Sequence, residues 1–114
     1  MENNSLINKN HLLKIDDSNI INEPFPHYLI DNFFKTEVAK ALEAEFPNFN
    51  SESWHIYKNA IEIKKTCNNW NQFPKLTYKV FSFLNSKDFI DYISENLFKN
   101  ISLYPDYGLH GGGW

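Results

Sequence analysis

The chain contains no arginine, and its 11 lysines supply all of the positive charge in a molecule of net charge −3. Domains that bind nucleic acid usually carry a basic excess, and arginines that hold phosphate through two hydrogen bonds. The composition therefore argues against a nucleic-acid partner. Cysteine is almost absent as well, because Cys67 stands alone. An intrachain disulfide is excluded, and a reducing compartment is the simplest interpretation.

Long apolar runs are also missing. No stretch of about 18 apolar residues occurs, so the sequence predicts no membrane-spanning helix. The first four residues have neither the basic region nor the apolar stretch of a signal peptide. We therefore expect a cytoplasmic protein without a membrane partner.

What the chain does have is enough apolar material for a packed core. Hydrophobic residues make up 42% of the 114 residues and aromatic residues 17%. A chain of this length buries roughly 65% of the surface that its unfolded form exposes. These values suit one domain or part of one, and they argue against disorder throughout.

The pattern of apolar residues predicts an α+β fold in which helices outnumber strands. Helical spacing indicates helices over residues 37–46, after Pro74 and after the N-cap Ser86. Alternation indicates a strand at 27–31 and a strand or hairpin arm at 54–65. Residues 1–22 are expected to form a short strand or a loop. Thr36 is predicted to cap the first helix, and Trp70 to anchor a loop at 66–72.

No combination of residues predicts a catalytic or metal site within this chain. No two histidines are spaced i, i+2 or i, i+4, so a metal site would need distant residues to converge. Cys67 has no CxxC partner and no evident base. We expect no catalytic, cofactor-binding or metal-binding residue here, although a hydrolase with a nucleophilic Cys67 or histidine is a further alternative.

Two polar features have open interpretations. Asn59, Glu62 and Lys64 are spaced along the second predicted strand. Glu62 and Lys64 share one face, either as a solvated ion pair or, with Asn59, as the polar rim of a substrate cleft. All four glycines fall in the last seven residues. The glycines at 111–113 suit a close backbone approach, a phosphate cradle or a flexible tail. The finish on Trp114 indicates an interrupted sequence.

Several short motifs, taken in order, carry a family resemblance over residues 24–114. The chain resembles the N-terminal half of the 2-oxoglutarate/Fe(II) oxygenases of the prolyl-4-hydroxylase-like group, especially bacterial and phage members. The motifs are Pro24-Phe25-Pro26-His27-Tyr28-Leu29-Ile30-Asp31-Asn32-Phe33-Phe34, Glu45-Phe46-Pro47, Trp54, Tyr57-Lys58-Asn59, Glu62-Ile63-Lys64, Phe73-Pro74, Leu84-Asn85-Ser86, Phe89, and Leu103-Tyr104-Pro105-Asp106-Tyr107-Gly108-Leu109-His110-Gly111-Gly112-Gly113-Trp114.

The resemblance implies a double-stranded β-helix (jelly-roll) core whose iron is held by a His-x-Asp pair and a later histidine. It implies Fe(II) and 2-oxoglutarate as cofactors of the intact parent and allows for ascorbate. The present chain stops before the His-x-Asp pair, and His110 precedes the glycines and is not a ligand. The expected fold is therefore the N-terminal helices and first strands of the oxygenase domain, with an incomplete core.

The resemblance also implies a division of the chain and of its roles. Residues 1–23 form an N-terminal extension, and residues 24–114 the front portion of the oxygenase domain. Asn59, Glu62, Lys64 and His110 are the candidates for lining the approach to the substrate cleft. The expected function is that of a dioxygenase (hydroxylase) fragment that is inactive alone. The alternative is a complete, non-catalytic protein-binding module with a helical, aromatic surface.

Overall fold

The computed structural model describes residues 5–48, 54–58, 63–99 and 101–110. Within them the fold is α+β, as the sequence predicts. The elements in chain order are α1 (Lys9–Leu13), α2 (Thr36–Glu45), β1 (His55–Lys58), β2 (Ile63–Thr66), α3 (Lys75–Leu84) and α4 (Lys87–Asn96), with short 3-10 turns at Asp17–Asn19 and Trp70–Gln72.

The helix α2 begins and ends one residue earlier than predicted, so that it starts at the residue expected to be its N-cap. Thr36 was expected to be the N-cap, but Lys35 occupies that position, and no side chain there accepts a hydrogen bond from the helix. Thr36 is instead the first helical residue. The helix ends at Glu45 because Phe46, which precedes Pro47, adopts the extended geometry that a following proline favours.

The helices α3 and α4 begin beside Pro74 and Ser86, as predicted, although Pro74 occupies the N-cap and not the predicted position in the first turn. Pro74 stands immediately before α3, where its fixed φ is compatible with a helix start. Ser86 is the N-cap of α4: its Oγ accepts the N–H of Phe89 at 3.2 Å and donates to the carbonyl of Phe83 at 2.7 Å. The two helices are therefore joined by the two residues Asn85 and Ser86.

The segment predicted as a strand or hairpin arm is a two-stranded antiparallel hairpin. Its register pairs His55 with Thr66 and Tyr57 with Lys64. The described residues contain no other named strand, and the predicted strand at 27–31 is wrong. In its place Ile21 and His27 form a single bridge, with two N–H···O bonds of 2.8 Å. A strand needs a hydrogen-bonded partner along its length. Here the chain turns back through Pro24–Pro26, and only the pair Ile21 and His27 is hydrogen-bonded.

The expectation of a strand or loop for residues 1–22 is also wrong, because this segment contains the helix α1. The preceding residues pair with the entrance to α2. The N–H of Asn8 donates to the carbonyl of Phe33 at 2.8 Å, and that of Lys35 to Leu6 at 3.1 Å. This pairing buries Ile7 and leads directly into α1, which buries Leu12.

Two separate clusters make up the core. The first is built from Ile7 and Leu12 of the N-terminal segment and Leu97 after α4. The rings of Phe33, Phe34, Phe83, Phe89 and Tyr92 are among the side chains that pack on it. The second cluster joins Cys67, Phe73 and Leu109. None of the helices in the described residues is long and apolar enough to cross a membrane.

Candidate functional site

The segment of residues 104–110, which leads towards the glycines, is held against α3 by two hydrogen bonds. The N–H of Asp106 donates to Oδ1 of Asn85 at 2.7 Å. The indole Nε1 of Trp70 donates to the carbonyl of Tyr107 at 2.6 Å. Asn85 is buried, and its Nδ2 donates to Phe81 at 3.0 Å, so its amide is fixed in orientation. We call residues 104–110 the approach segment.

Leu109 anchors the approach segment to the second core cluster. Its side chain is buried against Cys67 and Phe73. Its backbone adopts a φ of +49°, in the left-handed region that residues with a Cβ rarely occupy. Such a conformation costs on the order of 1 kcal/mol, which burial of a leucine side chain more than offsets. Because Cys67 directly follows β2, this contact brings the end of the hairpin next to the approach segment.

Asp106 and His110 close the approach segment into a turn. Oδ2 of Asp106 accepts the backbone N–H of His110 at 2.8 Å, and its Oδ1 lies 2.7 Å from Nδ1 of the same residue. A carboxylate accepts hydrogen bonds, so Nδ1 carries the proton and Nε2 is left for other partners. The hydrogen bond from His110 is the main reason that the pKa of Asp106 is lowered.

Gly108 leaves room for this turn. A Cβ at this position would lie 2.8 Å from Cε1 and 3.2 Å from Nδ1 of His110. Any larger residue would therefore push the imidazole ring away from Asp106. The glycine was noticed in the sequence as one of four near the end of the chain, but its role depends on a ring two residues later.

Four residues are predicted to line the approach to a cleft, and the structure describes only some of them. Asn59 and Glu62 lie outside the described residues. Lys64 lies on β2 with its backbone opposite Tyr57, and its side chain is outside the description. His110 lies in the turn above with an exposed ring. The hairpin and the approach segment meet through Cys67 and Leu109, three residues beyond Lys64 and one before His110.

Sequence reasoning missed an aromatic cleft beside the approach segment. The cavity has a volume of about 420 Å³ and an uncharged lining of Trp70, Tyr78, Ser82, Asn85, Ser86 and Tyr107. The rings of Trp70 and Tyr78 meet edge to face, with centroids 5.1 Å apart. Trp70 was predicted to anchor its own loop, which is correct. The sequence does not reveal that the indole of Trp70 contacts Tyr78 on α3, or that it donates to the carbonyl of Tyr107.

The described residues do not fit a mononuclear iron site of the type that the resemblance implies. Such a site needs two histidines and a carboxylate that converge on one point. Within residues 5–48, 54–58, 63–99 and 101–110, no three His, Cys, Asp or Glu side chains are grouped closely enough to hold a metal ion. No step of an iron reaction is therefore assigned to these residues.

Cys67 is in the wrong place for a nucleophile. Its side chain is fully buried, with an exposed fraction of 0%, between Phe73 and Leu109. The nearest hydrogen-bond partner of Sγ is the carbonyl of Asn69, at 4.0 Å. A nucleophilic thiol needs a base and access to substrate. The position of Cys67 instead suits a small apolar core residue.

Comparisons of the chain with models of protein families, with curated proteins and with solved structures gave no match.

Proposed function

We propose that residues 24–114 form the N-terminal portion of an iron- and 2-oxoglutarate-dependent dioxygenase (hydroxylase) of the prolyl-4-hydroxylase-like group. In this proposal the jelly-roll core, the iron ligands and the 2-oxoglutarate site belong to a part of the protein beyond the described residues. The role of this portion is to support that core and to hold the chain that enters it.

One observation carries the proposal: motifs that are far apart in the sequence contact one another in space. Asn85, from the motif after α3, holds Asp106 of the approach segment. Phe73, which precedes Pro74, packs in one cluster with Leu109. Residues from three of the motifs that carry the resemblance therefore belong to one structural unit. Their convergence supports a shared architecture in which α3 fixes the approach segment.

The proposal gives His110 a position at the rim of a cleft. Asp106 holds Nδ1, so the orientation of the ring is set, and Nε2 is available to a substrate or to a neighbouring polar group. Asp106 and His110 are positioning residues in this account. Neither is an iron ligand.

A second candidate function, a protein-binding module, is favoured by an apolar groove between α2 and α3. The groove has a volume of about 540 Å³ and is lined by Phe34, Leu42, Glu43, Phe46, Thr77, Val80, Phe81 and Leu84. The side chain of Phe46 is 58% exposed. Contiguous apolar surface of this kind marks a place where another polypeptide packs. In the oxygenase proposal that polypeptide is the rest of the same domain.

The test uses the complete product of the reading frame that contains this chain. The purified protein is supplied with Fe(II), 2-oxoglutarate and ascorbate, and the formation of succinate and CO₂ is measured. We expect turnover that depends on iron and is stopped by a chelator. The resemblance also implies a His-x-Asp sequence within about a few tens of residues after the glycines, which would supply two of the three iron ligands. A product without this motif and without turnover, which melts cooperatively as a monodisperse species, would overturn the oxygenase proposal and favour the complete binding module.

A further inference from the structure

A polar cavity in the N-terminal part of the fold is lined by several basic side chains. It has a volume of about 460 Å³ and is formed where the N-terminal segment meets the entrance to α2. Its lining consists of Ile7, Asn8, Lys9, Asn10, His11, Lys14 and Lys35. We infer that this cavity binds a small anion that carries a phosphate group. The inference does not depend on the proposed oxygenase function.

Backbone pairing fixes the position of this cavity. Ile7 and Phe34 form an antiparallel bridge, which brings Lys9 and Lys35 together although 26 residues separate them. The side chain of Asn8 reinforces the pairing, because its Nδ2 donates to the carbonyls of Asn32 at 2.7 Å and Phe34 at 3.2 Å. The lysines therefore project from a fixed framework whose core residue, Ile7, is 1% exposed.

Among the residues that the structure describes, no carboxylate pairs with the lysines of the cavity. Within the part of the chain that the structure describes, the side-chain ammonium groups of Lys9, Lys14 and Lys35 form no ion pair and no hydrogen bond. Lys87 and Lys99, elsewhere on the surface, pair with Asp91 and Asp17. Three like charges around one cavity repel one another, so an anion that enters gains from all of them at once.

The charged donors of the cavity are the ammonium groups of its three lysines. Lys9 and Lys35 are half-buried residues, whereas Lys14 is exposed. His11 is held at the edge through Nδ1, which lies 3.1 Å from the carbonyl of Asp31 and donates to it. Asp31 contributes this carbonyl, and its carboxylate forms no ion pair with the described lysines. Lysine binds phosphate as a point charge without needing the geometry of arginine.

The test measures anion binding to the full chain by isothermal titration calorimetry and by amide shifts in two-dimensional NMR. The probes are inorganic phosphate, pyrophosphate and adenosine monophosphate, with adenosine as the uncharged control. We expect saturable binding of at least one phosphate-bearing probe, with shifts at Lys9, His11 and Lys35. Saturation by all three would assign recognition to the phosphate itself, and saturation by the monophosphate alone would assign it to a nucleotide.

Matched variants distinguish anion binding in this cavity from a general effect of the protein's charge. Lys9→Met and Lys35→Met are expected to weaken binding by about tenfold each, as for the loss of one charged hydrogen bond. Lys79→Met makes the same charge change at an exposed position on α3 and should leave the affinity unchanged. Circular dichroism measures whether each variant is folded. If Lys9→Met or Lys35→Met does not fold, Lys14→Met replaces it as the test, because Lys14 is exposed. Absence of saturation with every probe, or equal weakening by Lys79→Met, would overturn the inference.

Discussion

Glu45 is the last residue of α2, and its carboxylate caps the start of α3. Oε1 accepts the N–H of Leu76 at 2.9 Å, while Oε2 accepts both the N–H and the hydroxyl of Thr77 at 2.9 Å. The N-cap of α3 is Pro74, which offers no side-chain acceptor. A negative charge at this end of a helix also meets the positive end of its dipole. Glu45 therefore connects α2 to α3, because its carboxylate binds backbone N–H groups in the first turn of α3.

The first prediction concerns this cap. Glu45→Gln keeps the size of the side chain but leaves one accepting oxygen, and its NH₂ group would face the N–H donors of α3. We expect the free energy of unfolding in urea to fall by about 1–2 kcal/mol. Glu43→Gln, on an exposed residue of the same helix, should change it by less than about 0.5 kcal/mol. Equal effects of the two substitutions would show that general charge, rather than the cap, is responsible.

The second prediction concerns the pH dependence of the turn at Asp106. The folded pKa of this carboxyl is lowered, chiefly by the hydrogen bond from His110. The unfolded chain then binds the proton more readily than the folded one. Asp106 consequently stabilises the fold above its ordinary pKa, near about 3.9, and this contribution is lost as the pH falls through the lowered value.

An NMR titration of the Asp106 carboxyl carbon measures this directly. We expect its midpoint to lie below the ordinary value in the parent chain and to move upwards in His110→Ala. Gly108→Ala should have a similar effect, because its Cβ would displace the imidazole ring. If the titration of Asp106 is the same in all three proteins, the hydrogen bond to His110 does not control it.

Elements whose signals are local could be predicted, and elements that depend on distant partners could not. Ser86 caps α4 through bonds to residues three positions away on either side, so the sequence alone indicates it. The hairpin follows from alternation within 54–65. The helix α1 has five residues, too few to be stable by itself, and forms where Leu12 is buried against Leu97. No pattern within residues 1–22 reveals that contact.

The third prediction tests whether α1 is part of the cooperative fold. Leu12 is 0% exposed and Leu13, its neighbour, is 50% exposed. Leu12→Ala removes a fully packed side chain, so we expect a loss of about 2–4 kcal/mol in the free energy of unfolding. Leu13→Ala should cost less than about 1 kcal/mol. Two small and similar losses would mean that the N-terminal segment does not fold together with α4.

The candidate site shows the same division between local and distant information. The sequence indicated that the glycine-rich end and His110 were unusual, and the structure describes His110 in a turn with Asp106. The roles of Asn85, Trp70 and Leu109 depend on contacts across 21 to 42 residues of sequence, such as that between Asn85 and Asp106. Spacing within a single helix or strand cannot report such contacts.

Considered as a whole, the part of the chain that the structure describes exposes several large apolar side chains. Its radius of gyration is 15.8 Å, whereas a compact domain of this length has one of about 13 Å. Large rings are exposed at several separate positions, among them Phe25 at 62%, Phe46 at 58% and Tyr104 at 80%. The two core clusters are small and distinct. These features agree with a unit that packs against further polypeptide.

The fourth prediction tests whether the groove between α2 and α3 is a continuous apolar surface. The dye ANS becomes fluorescent on such surface, so we expect the native chain to bind it. Phe46→Ser should reduce this fluorescence, because Phe46 forms part of the lining. Phe25→Ser removes a ring of similar exposure that lies outside the groove and should have little effect.

Urea denaturation distinguishes the groove from partial unfolding as the source of the signal. Phe46 is more than half exposed, so its replacement by serine should shift the midpoint of unfolding only slightly. A loss of dye binding at nearly constant stability would therefore locate the apolar surface at the groove. If the dye signal instead rises and the midpoint falls, Phe46 is a core residue of the folded chain, and the α2–α3 surface is already covered by its own side chains.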